Sequence, residues 1–423
     1  MRRREEQVQT RGRLRELLPP PPAALGGAPA FPDGLPLAVP RIPNAAAVGE
    51  DVQRILASGV LTNGPYVRTL EERAAEYTGV RNCVAVSSCT AGLMLVLRAA
   101  QLTGDVVIPS FTFAATAHAV VWAGLRPVFA DVDATLTLSP EAVEHATGVR
   151  ASAVLATHTF GTPCDVEALA EIASNRGVRL FFDAAHALGS RRKGMPIGGF
   201  GNAEVFSLTP TKTVIAGEGG IVATNDDLLA EQLRIGRNYG NPGDYDCTFV
   251  GLNARMSEVH AAIALASLED LDDRIEQRNH LANLYCEALS GIPGISFPEV
   301  APEDRSTYKD FTILVDPSGF GLSATRLGQS LDAEGIETRR YYAPPVHTMK
   351  AYRGLVATNG SLPVTESAAE RVLTLPLWVG MGEPEIERVA STIGRIGRSL
   401  GTFVAESETI RLEHAPLPPV SQL

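Results

Sequence analysis

The sequence predicts an α/β protein in which a mostly parallel, mixed sheet is flanked by helices and is followed by a smaller α+β domain. Between residues 83 and 224, short apolar runs rich in Val, Ile, Ala and Phe alternate with segments of helical spacing. Such runs are typical of parallel strands buried on both faces. A chain of 423 residues is also long enough for one large α/β domain with an appendage.

The elements follow from the spacing of apolar residues along the chain. Helical spacing predicts helices over 45–58 and 66–77, with a loop at 59–65 between them. Seven strands are predicted at 83–86, 106–109, 127–132, 153–157, 180–183, 203–207 and 220–224. The helices between these strands are predicted at 88–100, 116–124 and 166–175. Helical spacing then continues from 257 to 289, and the run 311–315 predicts a strand of the smaller domain.

Four segments are expected from these elements and from composition. Residues 1–35 combine charge with a run of four prolines and a Gly/Ala/Pro stretch, so we expect a disordered tail with room for a short helix over 7–18. Residues 36–290 are predicted to form the large domain and residues 291–405 the small C-terminal α+β domain. The polar segment 406–423 is expected to be a loose tail.

Composition excludes several classes of protein. The formal net charge of −11 argues against binding to nucleic acid or to an anionic membrane. No apolar run approaches the roughly 20 residues that span a bilayer, and no apolar segment follows the basic N-terminus to make a secretory signal. The five cysteines form no Cys-x-x-Cys pair. We therefore expect a cytoplasmic protein with neither disulfides nor a metal site.

Asp183 and Lys212 stand at the ends of two neighbouring predicted strands. Asp183 closes the run 178–182, and Lys212 lies between the strand 203–207 and the glycine cluster 217–220. A lysine that holds an aldehyde and a carboxylate that keeps a pyridine nitrogen protonated are the two groups that pyridoxal phosphate chemistry needs. Either residue alone would more often be a surface charge or a turn residue. The hypothesis therefore depends on the loops around them.

Other loops at the same edge of the sheet carry suitable groups, because ligands collect at the carboxyl ends of parallel strands. Residues 87–92 open a helix with hydroxyl side chains, which could seat a phosphate or act as an ordinary helix cap. Residues 109–114 carry two phenylalanines that could stack on a flat ring, although core packing is expected for one of them. The cluster 217–220 lacks the spacing of a dinucleotide site.

Eight motifs give the chain a specific family resemblance. In order, they occupy 61–65, 88–92, 109–113, 183–186, 207–212, 217–220, 251–258 and 342–347. Together they resemble the DegT/StrS-type sugar aminotransferases, which belong to fold type I of the pyridoxal phosphate enzymes. The resemblance extends from about Leu37 to Ile393. Cys89 departs from the pattern, since many members carry glycine there, and it is expected to be a small buried thiol.

The resemblance implies roles for individual residues. Lys212 matches the lysine that binds the cofactor as a Schiff base and then moves a proton, and Asp183 matches the partner of the pyridine nitrogen. His186 matches a contact to the ring oxygen, and Phe113 matches the aromatic ring that stacks on the cofactor. The phosphate seat and its contact from the neighbouring subunit are implied at Thr90, Ala91, Ser207 and Asn253. A homodimer with shared active sites is therefore expected.

The same resemblance implies the reaction and its substrates. L-glutamate would convert pyridoxal 5′-phosphate to pyridoxamine phosphate, which would then aminate a nucleotide-linked keto-deoxysugar. A dTDP-4-keto-6-deoxyhexose aminated at carbon 4 is favoured, because members acting at carbon 3 more often carry Asp at the position of Glu218. The candidates for substrate contact are Thr62, Asn63, Tyr342 and His347. For Tyr342 and His347, packing between the two domains is an equal alternative.

Other functions stay open on the sequence alone. The acceptor could be a 3-keto sugar or a cyclic ketone that is not a sugar. A cofactor-dependent sugar dehydratase on the same scaffold is disfavoured, because that branch replaces the lysine with histidine. A cofactor-binding regulator without catalysis and a simple nucleotide-binding α/β protein are the remaining alternatives.

Overall fold

The computed structural model describes residues 21–354, 357–358 and 360–406. The helix predicted over 7–18 and the tail from 407 onward lie outside these residues. Thirteen strands are numbered here in chain order: β1 Asn82–Val86, β2 Asp105–Pro109, β3 Arg126–Ala130, β4 Ala151–Thr157, β5 Arg179–Asp183, β6 Arg191–Arg192, β7 Met195–Pro196, β8 Ala203–Ser207, β9 Gly220–Thr224, β10 Ile295–Ser296, β11 Phe311–Val315, β12 Ala357–Thr358 and β13 Val372–Leu375.

The α-helices of the described residues surround and connect these strands. In chain order they are α1 Ala45–Ser58, α2 Pro65–Thr78, α3 Cys89–Ala99, α4 Ala114–Trp122, α5 Pro140–Ala146, α6 Val166–Arg176, α7 Asp227–Gly236, α8 Glu258–Glu269, α9 Leu271–Leu289, α10 Pro317–Phe320, α11 Ala324–Ala333, α12 Pro363–Arg371 and α13 Glu383–Glu406. None of the helices among these residues is both long and apolar enough to cross a membrane.

The main sheet has eight strands in the order β1-β9-β8-β5-β4-β2-β3-β12. Strand β9 runs antiparallel to both of its neighbours, while the pairs from β8 through β12 are parallel. This confirms the predicted mostly parallel, mixed sheet. Because β8 and β9 form an antiparallel pair, the loop that joins them lies at the carboxyl edge of the parallel strands. That loop carries Lys212.

Helices cover the sheet on both faces because successive side chains of a strand point to opposite sides. In β1, Val84 and Val86 join a core cluster with α3, α4 and α7. The alternate residues Cys83 and Ala85 join a second cluster with α2, α8 and α9. Helices α5 and α6 complete that second face through a third cluster. The carboxyl edge of the sheet, between these two layers of helices, is the position of the candidate site.

In the large domain, two features of the helices differ from the sequence prediction. The stretch predicted as one long helix over 257–289 is two helices, since Asp270 leaves helical geometry with φ −104° and ψ 31°. Helices α5 and α7 were not predicted. Each begins at a side chain that caps the helix, Ser139 for α5 and Asp226 for α7, which accept hydrogen bonds from Ala142 N and Leu229 N.

The C-terminal part contains a three-stranded antiparallel sheet in the order β10-β11-β13. This sheet packs with α9, α11 and α13 around its own core, as expected for an α+β unit. The predicted continuous domain 291–405 is nevertheless interrupted. Val346, Tyr352 and Leu362 join the core of the main sheet, and β12 pairs with β3, because apolar residues of this segment cover the end of the large sheet.

The N-terminal segment, residues 21–37, is packed against the C-terminal part. Phe31 and Leu35 are buried in its core. The buried carboxylate of Glu334 accepts hydrogen bonds from Ala23 N and Ala30 N, each at 2.8 Å. The prediction of a disordered tail through residue 35 is therefore wrong for residues 21–35. Two well-spaced apolar side chains and a buried acceptor suffice to hold a segment of otherwise loop-like composition.

Candidate active site

Asp183 and Lys212 meet at the carboxyl edge of the main sheet. Asp183 is the last residue of β5, which pairs in parallel with β8. Lys212 follows β8 in the loop that returns as β9, and its backbone N–H donates to Thr209 O at 3.0 Å. The charges of the two side chains act on each other's pKa. The two neighbouring strand ends inferred from the sequence are thus observed.

The Asp183 carboxylate is held in a buried position by two short hydrogen bonds and by the more distant Cys89 thiol, whose Sγ lies 3.9 Å from Oδ1. Only 4% of the residue is exposed. The Thr116 hydroxyl donates to Oδ2 at 2.6 Å, and the Ala185 N–H donates to Oδ1 at 3.1 Å. Burial raises the pKa of Asp183 above its ordinary value, while these two hydrogen bonds oppose the rise. A cation placed beside this carboxylate would therefore be strongly stabilised.

The pKa of Lys212 is lower than that of a surface lysine. Burial, followed by the nearby charge of Lys309, lowers the pKa of Lys212 to about 8. A substantial fraction of its amine is therefore neutral in mildly alkaline solution. A neutral amine can attack a carbonyl carbon and can accept a proton.

His186 presents a buried ring nitrogen with an unmet hydrogen bond. Within the described residues, Nδ1 has no hydrogen-bond partner. Burial, together with the charges of Lys212 and Lys309, keeps the pKa of His186 well below its ordinary value, so the imidazole is neutral. Because buried polar atoms in folded proteins are almost always paired, this nitrogen indicates a place where a ligand supplies the partner.

The predicted phosphate seat lies at the start of helix α3. Ser88 caps this helix by accepting from Ala91 N at 3.1 Å, and Thr90 lies in the first turn. Ser207 ends β8, with its hydroxyl 3.4 Å from that of Thr209. A Cβ at Gly220 would lie 2.7 Å from Cys89 N, so β9 passes tightly beside the helix start. N–H groups of a first helical turn together with hydroxyls suit a phosphate.

The two phenylalanines of the loop after β2 have different surroundings. Phe111 is fully buried and packs against Phe160 and Tyr342, at ring-centroid distances of 6.2 and 5.6 Å. Phe113, immediately before α4, is 63% exposed. Core packing is thus confirmed for one of the pair. Phe113 is left as the aromatic ring available to a ligand.

Tyr342 and His347 connect the C-terminal part to the large sheet. Tyr342 stacks on Phe160 at a centroid distance of 5.9 Å and is buried, so most of its surface is used in packing. His347 Nδ1 lies 2.6 Å from Ser110 Oγ, and Nε2 lies 3.6 Å from Glu366 Oε1. The structure thus places both residues at the junction between domains, and their contact with substrate stays a prediction.

The loop that carries Thr62 and Asn63 is fixed by the segment that opens α8. Thr62 pairs with Ser257 in an isolated bridge, and Asn63 N donates to Met256 O at 3.4 Å. The buried Glu258 accepts hydrogen bonds from Gly64, Tyr66 and Val67 N–H at 2.8 to 3.0 Å. Sequence reasoning gave Glu258 no role, although it lies within the motif 251–258.

Asn253 is exposed in the single chain. Its neighbour Ala254 accepts a hydrogen bond from Ser87 N at 2.9 Å, which places this segment beside the start of α3. An exposed amide next to the predicted phosphate seat is compatible with a contact to a second subunit.

Sequence reasoning missed several groups that surround the central pair. These are Thr112, Thr116 and Thr157 behind Asp183, and the ion pair of Lys309 and Asp310, whose Nζ and Oδ1 lie 2.7 Å apart. Thr112 lies in a loop that the sequence had marked and Thr157 ends a predicted strand, but no spacing signalled Thr116 or the ion pair. Among the described residues, no group of three or more His, Cys, Asp or Glu side chains is arranged to hold a metal ion.

Comparison with known proteins identifies the family of the chain. The model of the DegT/DnrJ/EryC1/StrS aminotransferase family matches residues 44–394. The dTDP-4-amino-4,6-dideoxy-D-glucose transaminase of Escherichia coli is 32% identical, over 85% of this chain and 98% of its own length. The dTDP-3-amino-3,4,6-trideoxy-alpha-D-glucose transaminase of Streptomyces venezuelae is 36% identical, over 81% of this chain and 90% of its own length.

A solved structure shows the same architecture. The crystal structure of DesI, determined in the presence of its TDP-sugar product, superposes with a TM-score of 0.85 at 39% identity. The match covers 90% of this chain and 98% of that chain. The enzyme class and its cofactor follow from this family: a transaminase that uses pyridoxal 5′-phosphate. The chain belongs to the DegT/DnrJ/EryC1/StrS aminotransferase family.

Proposed function

We propose that this protein transfers the amino group of L-glutamate to carbon 4 of a dTDP-4-keto-6-deoxyhexose. The observation that carries the proposal is the meeting of Lys212, with a pKa of about 8, and the buried Asp183 at one edge of the sheet. The names of the relatives from Escherichia coli and Streptomyces venezuelae, both dTDP-aminosugar transaminases, support the substrate class.

The residues present fit pyridoxal 5′-phosphate. The unpaired His186 Nδ1 offers a hydrogen bond, and the ring of Phe113 is exposed. Thr90, Ala91 and Ser207 would hold the phosphate at the start of α3. Asp183 would face the pyridine nitrogen, where a buried carboxylate keeps that nitrogen protonated. Lys212 would hold the aldehyde carbon.

The chemistry then divides between the cofactor and the chain. When bound, pyridoxal phosphate supplies an electron sink for the carbanion that forms at the substrate carbon. Lys212 is the group that takes and returns the proton at Nζ, since its lowered pKa lets the free amine act as a base near the working pH. Asp183 supports the sink by staying ionised. His186, whose lowered pKa keeps it neutral, would orient the cofactor without adding a charge.

The choice of carbon 4 depends on Glu218 and is the finer part of the proposal. Glu218 is exposed in the loop that follows Lys212, where an acidic side chain can face an incoming sugar. The sugar in the name of the Escherichia coli relative has its amino group at carbon 4, and the sugar in the name of the Streptomyces venezuelae relative has it at carbon 3. Both ring positions therefore have to be distinguished by experiment.

The test is product analysis with purified protein loaded with pyridoxal phosphate. We would supply glutamate and dTDP-4-keto-6-deoxyglucose and determine the product by mass spectrometry and NMR. An amine on carbon 4 that is absent with Lys212→Ala supports the proposal. Consumption of glutamate without an aminosugar would contradict the sugar substrate. Turnover of a 3-keto sugar instead would contradict the ring position alone.

We also propose that the protein works as a homodimer whose active sites are shared through Asn253. Subunits carrying Lys212→Ala mixed with subunits carrying Asn253→Ala provide the test. If Asn253 serves the partner's site, each hybrid dimer has one site with Lys212 and Asn253 both intact, and activity recovers on mixing. No recovery from a mixture shown to contain hybrid dimers would contradict the shared site.

A further inference from the structure

Three buried threonines connect Asp183 to the ends of neighbouring strands. Thr157 ends β4 and is paired with Asp183 in the register of β4 and β5. Thr112 lies in the loop that follows β2, and Thr116 lies in the first turn of α4. Strands β2, β4 and β5 are adjacent in the sheet. Residues distant in sequence are thus collected behind a single carboxylate.

Their hydroxyls form a continuous chain of hydrogen bonds, which we call the threonine chain. Thr116 Oγ1 lies 2.6 Å from Asp183 Oδ2, Thr112 Oγ1 lies 2.8 Å from Thr116 Oγ1, and Thr157 Oγ1 lies 3.2 Å from Thr112 Oγ1. Thr112 and Thr116 are fully buried, and Thr157 is almost so. Bulk water is therefore excluded as a competing donor along the threonine chain.

The protons in the threonine chain can point in only one direction when Asp183 is ionised. A carboxylate accepts but does not donate, so the Thr116 proton must point at Asp183. Since each hydroxyl has one proton, Thr112 must then donate to Thr116, and Thr157 must donate to Thr112. Every dipole of the threonine chain is aligned toward the negative charge. Aligned hydrogen bonds in a medium of low dielectric constant polarise and strengthen one another.

We propose that Thr116 is a positioning residue that, with Thr112 and Thr157, holds Asp183 ionised and fixes its orientation toward the pyridine nitrogen of the cofactor. The Ala185 N–H at 3.1 Å and the Cys89 thiol at 3.9 Å donate to the other oxygen, Oδ1. The inference depends on the proposed function in one respect, namely that pyridoxal phosphate is what Asp183 faces. A network that only satisfies buried polar groups is the competing explanation.

Cofactor binding by the apoprotein tests this role without depending on turnover. Thr116→Val removes the hydroxyl and keeps the side-chain shape, whereas Thr116→Ser keeps the hydroxyl. Because a hydrogen bond to a charged group is at stake, we expect Thr116→Val to weaken pyridoxal phosphate binding roughly 10- to 100-fold. Thr116→Ser should bind close to the wild-type value. The pH profile of the bound cofactor's absorbance should shift in the valine variant alone.

A matched control separates positioning from stability. Thr147 is also a buried threonine, and its hydroxyl donates to Val143 O at 2.6 Å in α5. Thr147→Val should lower the unfolding temperature and leave cofactor affinity and absorbance unchanged. If Thr116→Val behaves in the same way as Thr147→Val, the positioning role is overturned and the threonine chain is purely structural. If the wild-type apoprotein fails to bind pyridoxal phosphate, the cofactor site is refuted, and the positioning role is refuted with it.

Discussion

At the scale of single residues, Lys309 is a second lysine whose charge affects the active site. Its Nζ lies 2.7 Å from Asp310 Oδ1 and 5.7 Å from the centre of the Tyr341 ring. Its backbone is fixed by Arg278, which donates to Lys309 O at 2.8 Å. Its charge lowers the pKa of both Lys212 and His186. Lys309 therefore favours the neutral form of both groups.

Neutralising Lys309 should raise the pKa of Lys212. Lys309→Gln removes the charge and keeps a donor for Asp310, so the pKa of Lys212 should rise from about 8 toward its ordinary value. At a fixed pH below that pKa, the neutral fraction of the amine falls about tenfold each time the pKa rises by one. The measurement is the pH dependence of labelling of Lys212 by an amine reagent in the apoprotein, read by mass spectrometry.

The exposed Lys193 supplies the control for this change. Lys193 pairs with Glu167 at 3.0 Å on the surface, so Lys193→Gln should leave the labelling profile of Lys212 unmoved. An unchanged midpoint in Lys309→Gln would show that burial alone sets the pKa of Lys212.

At the scale of secondary-structure elements, the Glu258 side chain connects helix α8 to the start of helix α2. It is the first residue of α8 and is 1% exposed, and its carboxylate accepts the N–H groups that open α2. A carboxylate at a helix N-terminus pairs with N–H groups that have no acceptor in the helix and with the positive end of the helix dipole. A Cβ at Gly64 would lie 2.6 Å from Glu258 Oε2, so a larger residue there would have to displace this carboxylate.

Glu258→Gln should destabilise the protein. The amide offers one acceptor oxygen where the carboxylate offers two, so at least one buried N–H loses its partner, at a cost of roughly 1–3 kcal/mol. Urea unfolding measures the change, with the exposed Glu72→Gln as the control that should lie near wild type. Equal stability of Glu258→Gln and wild type would mean that the cap contributes nothing.

The elements also show where sequence reasoning succeeds. The strands 203–207, 220–224 and 311–315 were predicted with their observed bounds, because each contains the Val, Ile or Phe residues that are typical of buried strands. Asp183 and Lys212 were found for the same reason, since strand ends are visible in the sequence. Helices α5 and α7 were not predicted because the signals at their N-termini, the capping residues Ser139 and Asp226, were not used.

What the sequence could not provide is the pairing of distant loops. Thr112, Thr116 and Thr157 come together only because β2, β4 and β5 are adjacent, and single hydroxyl residues have no periodicity that would mark them in the sequence. The burial of Phe31 similarly depends on a C-terminal core that lies about 300 residues away along the chain. Such contacts are set by the topology of the sheet and not by local preference.

At the scale of the whole molecule, the N-terminal segment fastens the C-terminal part. Phe31 lies in its core and beneath the guanidinium of Arg388, at 5.2 Å from the ring centre. Trp378 Nε1 donates to Pro36 O at 3.1 Å, on the same side. If residues 1–35 were the disordered tail expected from the sequence, their deletion would leave dimerisation and activity intact. The packing of Phe31 and Leu35 instead predicts a loss of stability on that deletion.

A point variant isolates this contribution from the rest of the segment. Phe31→Ala removes a buried aromatic ring and should lower the free energy of unfolding by about 3 kcal/mol. Leu25→Ala, at a residue that is 40% exposed, should change it little. Chemical denaturation of both variants measures the difference. Equal small effects would show that the segment rests on the surface without supporting the fold.

The central claim is that Lys212 carries the cofactor at the edge of the sheet beside Asp183. It is tested most directly by loading the protein with pyridoxal phosphate, reducing it with borohydride and locating the modified lysine by peptide mass spectrometry. We expect the phosphopyridoxyl group on Lys212, and none in Lys212→Ala. A modification on Lys309 or on another lysine, or no stable modification of a protein that binds the cofactor, would contradict the account.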